Sequence, residues 1–144
     1  MLAALSRAGP PSREGTRNRE PIRVELAASE HAPGQARSAL EPLKERISAD
    51  DYVDLRLMAS ELVSDCIRDG GGTLERAIAL QATIQGNTLR LEVADPASQF
   101  EVPDSPPDPG ETGFGLYLVS RLADRWGVER GRGEAAVWLE RQLH

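Results

Sequence analysis

Two runs of alternating apolar residues, joined by Gly86-Asn87, constrain this chain more than any other feature. Ile78, Leu80, Ala82 and Ile84 alternate with small or polar neighbours, and Leu89, Leu91 and Val93 alternate with Arg90 and Glu92. A period of two puts each apolar set on one face of a strand, and Gly-Asn supplies the positive φ angles of a tight turn. The segment therefore predicts a β-hairpin with one buried face. Such a face needs a covering layer, which the rest of the chain has to supply.

Helical spacing provides it. Leu55, Met58, Ala59, Leu62 and Cys66 predict a helix over residues 51–69, ended by Gly70-Gly71-Gly72. Pro33-Gly34 opens an earlier helix with Ala36, Leu40, Leu43 and Ile47 inward and Arg37, Glu41 and Lys44 outward. Leu116, Val119, Leu122, Ala123 and Trp126 mark a third helix, stopped by Gly127. Ile22, Val24 and Leu26 read as a first strand. Residues 128–130 and 136–139 form a closing hairpin about Gly131-Arg132-Gly133, with Val137 and Leu139 inward and Trp138 on the other face. The expected fold class is α/β (α+β), a two-layer sandwich in which three helices cover one face of a mixed or antiparallel sheet. The uncovered face must be wet or docked against a partner.

The 144 residues fit one domain, expected over residues 21–144. Residues 1–20 carry Arg7, Arg13, Arg17 and Arg19 among Gly, Pro and Ser, too little apolar surface to offset ordering entropy, and predict a disordered tail. Five prolines among the sixteen residues 96–111 exclude helix and central strand, so residues 96–112 predict a lid, a binding loop or disorder. A net charge of −6 argues against nucleic acid or an anionic membrane surface as the main partner, because counterion-driven binding needs a basic field. A single cysteine, Cys66, sits on the apolar side of its helix and suits a reducing compartment. No stretch approaches a membrane span, and the expected location is cytoplasmic.

Two features carry chemistry. Glu61, Asp65 and Asp69 recur every fourth residue and stack along one helix face. Like charges so placed cost roughly 0.2–0.5 kcal/mol per pair unless a cation offsets them, so the row reads either as a divalent-metal site or as a solvated face. Gly113 and Gly115 sit where the third helix begins. A helix start presents unpaired N–H groups, so the pair reads either as a phosphate cradle or as a loop-to-helix joint.

In order along the chain, these features resemble the GHKL nucleotide-binding fold (the Bergerat fold) shared by gyrase, histidine kinases and anti-sigma-factor serine kinases. Residues 22–139 resemble the anti-sigma-factor kinase branch in its short actinobacterial form. Glu61-Leu62-Val63-Ser64-Asp65-Cys66 resembles the N box, usually Glu-Leu-Val-Thr-Asn-Ala. Val93-Ala94-Asp95-Pro96-Ala97 resembles the first glycine box, and Thr112-Gly113-Phe114-Gly115-Leu116 the second.

The resemblance implies ATP and Mg2+ as cofactors. It makes Glu61 the general base, puts Asp65 at the metal position, and gives Asp95 a hydrogen bond from the adenine amino group. Ala97, Thr112, Gly113, Phe114, Gly115 and Leu116 complete the implied nucleotide contacts. Four positions depart from the pattern. Asp65 stands for asparagine, Asp69 for a histidine, Ala97 for a glycine, and Ala136 for a threonine beside the adenine.

The implied function is an ATP-binding regulator that controls transcription by partner switching. It would transfer phosphate to a serine of an antagonist protein, with a sigma factor as the second partner and a homodimer left open. The alternative is a non-catalytic member of the same fold that sequesters a sigma factor or regulator without ATP.

Overall fold

The hairpin forms in the expected register. In the computed structural model, which describes residues 20–69, 76–96, 114–131 and 134–144 and all their side chains except those of Asp69 and Phe114, β2 (Ala77–Gln85) pairs antiparallel with β3 (Thr88–Asp95) from Gln85↔Thr88 to Ala79↔Ala94. Gly86 turns the chain with φ of 60°, a conformation L side chains rarely adopt. The disordered tail and the lid expected from the sequence lie outside the described residues, apart from Glu20 and Pro96 at their ends.

Around this hairpin the described residues build a five-stranded, wholly antiparallel sheet in the order β1-β2-β3-β5-β4, with β1 at Ile22–Ala27, β4 at Arg125–Gly131 and β5 at Glu134–Gln142. The mixed-sheet option is thereby excluded for the described strands. Register lines up Val24, Leu80, Val93, Val137 and Val128 in one apolar row and Ile22, Ala82, Leu91, Leu139 and Trp126 in the next. Helices α1 (Ala32–Ala39), α2 (Ala49–Asp69) and α3 (Phe114–Leu122) cover that face. Their Ala36, Leu55, Met58, Leu62, Val63 and Val119 join Leu80, Leu91, Val93 and Leu139 in a single core. Each fully buried Leu or Met there contributes about 1.5–3 kcal/mol relative to exposure.

Two boundaries differ from expectation. The first helix stops at Ala39, and Glu41–Leu43 forms a 3-10 turn, because Pro42 has no N–H to continue an α-helix. Leu40 and Leu43 remain buried regardless. The third helix ends at Leu122, so Trp126 and Gly127 lie in β4. Gly127 is not a helix stop. It faces Trp138 across the strand pair, and a Cβ there would lie 2.9 Å from the indole Nε1. The glycine makes room for the ring.

The long helix α2 is tied down at its start. Ser48 Oγ accepts the Asp51 N–H (3.1 Å), an N-cap of the usual kind. The fully buried Asp51 in turn accepts the His144 N–H (2.9 Å) and lies 3.0 Å from the Arg141 guanidinium, which also binds Asp54. The end of β5 is thus locked to the start of α2.

Candidate functional site

Asp65 lies one turn after Glu61 on α2, and α3 begins directly against it. The buried Asp65 carboxylate accepts the Gly115 N–H through Oδ2 (2.8 Å) and pairs with Arg68 through Oδ1. The first N–H groups of a helix have no partner within it, and an acceptor carboxylate beside them is further stabilised by the helix dipole. Gly115 is what lets the helices approach so closely. A Cβ there would stand 2.4 Å from Asp65 Oδ2 and 3.1 Å from the backbone carbon and oxygen of Glu61. The space on that side of Gly115 is filled by α2, and the Gly115 N–H is taken by Asp65. Gly113 lies outside the described residues, as do Thr112 and Ala97.

Asp95, the last residue of β3, faces the helices because it alternates with Val93 and Leu91. Its carboxylate is held by Arg76, the residue before β2. Arg76 Nε donates to Oδ1 (2.8 Å) and Nη2 to Oδ2 (3.2 Å), with side-chain exposures of 7% for the arginine and 0% for the aspartate. Arg76 Nη2 also donates to the Cys66 carbonyl (2.8 Å). That carbonyl belongs to the last turn of α2, where carbonyls lack an in-helix donor, so the guanidinium caps the helix while it neutralises Asp95. Planar two-point pairing of arginine with carboxylate is among the strongest charge-assisted arrangements. Asp95 is thus joined through Arg76 to the carbonyl of Cys66, the residue that follows Asp65.

A family profile described as "Histidine kinase-like ATPase domain" matches residues 25–141. The chain belongs to this family. The match spans the second half of β1 and every later element as far as Arg141 in β5. Among solved structures, the chain resembles one described as the RsbU and RsbW domains of Rv1364c from Mycobacterium tuberculosis. The two share 23% identity at a TM-score of 0.68, over 86% of this chain. The chain spans about a third of that protein's length (32%). No curated protein matches it. Both findings agree with a five-stranded antiparallel sheet under three helices, the Bergerat fold. No described helix is long and apolar enough to cross a membrane.

Binding of ATP with Mg2+ is what membership of an ATPase-domain family implies in general. In this family member the described residues do not fit that pair. Asp95 already meets a buried two-point guanidinium, and Asp65 spends one oxygen on the α3 N–H and the other on Arg68. Among the described residues no group of three His, Cys, Asp or Glu side chains is placed to hold a metal ion. Leu116, expected at the nucleotide, is buried in the core with Val119. Only the backbone of Phe114, the first residue of α3, is described.

Glu61 differs from the other two acids. It is half-buried, and no cation pairs with it among the described residues. Ala136 is not beside Asp95. Ala135 is the residue paired with Asp95, while Ala136 pairs with Ala94 and so points to the opposite face of the sheet.

Arg76 was not among the residues expected from sequence. Its signal was the hairpin register: Ala79 pairs with Ala94, so Arg76, alternating with Ile78 and Leu80, falls on the same face as Asp95 and diagonal to it. The uncovered face of the sheet holds a separate polar concavity of about 480 Å³ lined by Thr83, Arg90, Glu92, Arg125 and Glu140. There Arg90 and Arg125 lie 4.6 and 5.9 Å from the Trp138 ring centre. These cations also pair with Glu92 and Glu140, so the patch is balanced in charge and lies on the far side from Asp65 and Asp95.

Proposed function

We propose that this chain is an RsbW-like regulatory domain that controls transcription by binding a protein partner, a sigma factor or its antagonist, and that it does so without ATP. One observation carries the reading. The two carboxylates that the family resemblance gives to adenine and metal, Asp95 and Asp65, are both satisfied inside the chain, by Arg76 and by Gly115 with Arg68. What remains is the scaffold, with three helices over one face of the sheet and a charge-balanced opposite face. A cytoplasmic location belongs to the same proposal, since both partners act there.

The second reading, phosphate transfer to a serine of an antagonist, keeps one supporting observation. Glu61 is half-buried and paired with no cation among the described residues, the condition a general base needs.

Calorimetry of the purified chain against individual sigma factors and antagonist domains from the same cell, with and without Mg-ATP, tests the proposal. The expected result is a stoichiometric complex with one of them, at an affinity that Mg-ATP leaves unchanged. Phosphoserine on an antagonist, or a complex that forms only with Mg-ATP, would sink it and favour the second reading.

A further inference from the structure

The closure of the site turns on a single side chain. Arg76 enters between the end of α2 and the end of β3, and among the described residues it donates two hydrogen bonds to Asp95 and one to the Cys66 carbonyl. With 7% of its side chain exposed, the guanidinium is part of the interior rather than a surface arm folded over a cleft. We propose that Arg76 is a built-in plug, holding the place on Asp95 that an adenine amino group would take and so excluding adenine nucleotides from this family member. The inference deepens the ATP-independent reading above and rests on it.

The chemistry favours the plug over the base. An adenine amino group offers Asp95 a neutral donor, whereas Arg76 offers two charged donors in a fork matched to the carboxylate. For a base to enter, the guanidinium would have to leave both Asp95 and the Cys66 carbonyl. A cation and a helix-end carbonyl would then give up these hydrogen bonds at once in a buried setting.

The test uses the full chain titrated with adenosine, Mg-ADP and Mg-ATP by calorimetry and thermal shift, comparing wild type with Arg76→Ala and Arg76→Gln. Glutamine keeps a donor for the Cys66 carbonyl and guards against loss of folding. Wild type is expected to show no binding at millimolar ligand. The folded variants should bind adenosine at least about ten-fold tighter, a difference of about 1.4 kcal/mol. In Arg76→Ala, guanidinium chloride at millimolar concentration, far below denaturing levels, should refill the site, raise the melting temperature and compete with adenosine. A merely structural arginine would not produce that competition.

Wild type binding adenosine as tightly as either variant would overturn the plug. So would folded variants that bind no adenine compound. If the wild-type chain binds neither nucleotide nor any sigma factor or antagonist while the variants do bind adenosine, the plug stands and the partner reading falls.

Discussion

Gly115→Ala should destabilise the protein although alanine is the better helix former. The introduced Cβ would stand 2.4 Å from Asp65 Oδ2 and 3.1 Å from the Glu61 carbonyl carbon and oxygen. Backbone cannot step aside, so either α3 lifts off α2 or Asp65 swings away and gives up the Gly115 N–H. Forcing a methyl into packed surroundings costs about 1–3 kcal/mol, and losing a hydrogen bond to a charged acceptor costs about 1.5–3 kcal/mol. Against these stands about 1 kcal/mol of helix propensity gained. The net expectation is a loss of about 1.5–5 kcal/mol. Urea denaturation measures this directly, as a lower midpoint at unchanged slope.

A double-mutant cycle with Asp65→Ala isolates the cause. With the carboxylate gone, most of the clash and the hydrogen bond go with it, and Gly115→Ala should then cost under about 1 kcal/mol. An alanine that is neutral or stabilising in the wild-type background, or one whose cost is the same with and without Asp65, would refute this account of the α2–α3 joint.

Further expectations concern the lock between the end of β5 and the start of α2. Arg141→Ala removes the cation shared by Asp51 and Asp54 and leaves Asp51 buried beside only the His144 N–H and Ser48. Breaking a buried pair in this way should cost about 3–5 kcal/mol by urea denaturation, and a cost under about 1 kcal/mol would show that the pair is not structural. Acid stability follows from the same group. Burial alone would raise the Asp51 carboxyl, but the His144 N–H, the Ser48 hydroxyl and the Arg141 guanidinium outweigh it and hold the group below its ordinary value of 3.8. A depressed carboxyl contributes stability that is complete above its unfolded value and is lost as pH falls through its folded value. The urea midpoint should therefore fall below about pH 4, and fall less steeply in Asp51→Asn. Equal slopes in the two proteins would contradict the assignment.

Local periodicity made most of the architecture legible. Alternation in residues 78–93 and the Gly86-Asn87 turn announce the central hairpin, and helical spacing from Leu55 to Cys66 announces α2. The misplaced boundaries are those where a local rule met a tertiary demand. Gly127 looks like a helix terminator until the Trp138 ring is found packed against it from the next strand. The family motifs singled out Asp65, Asp95 and the start of α3, and the fold joins Asp65 to the Gly115 N–H and Asp95 to Arg76. They could not say how those acids are satisfied.

The chain's own pattern of apolar and polar residues thus determined which segments become strands and helices and which faces turn inward. Only the folded arrangement decided what Asp65 and Asp95 do. Side-chain periods describe residues within one element, whereas the partner of a buried charge is whichever donor the packing of separate elements brings within about 3 Å. Arg76 reaches Asp95 from across the hairpin, and Gly115 reaches Asp65 from another helix fifty positions along the chain. Those two encounters give the Asp95 and Asp65 carboxylates donors from within the chain.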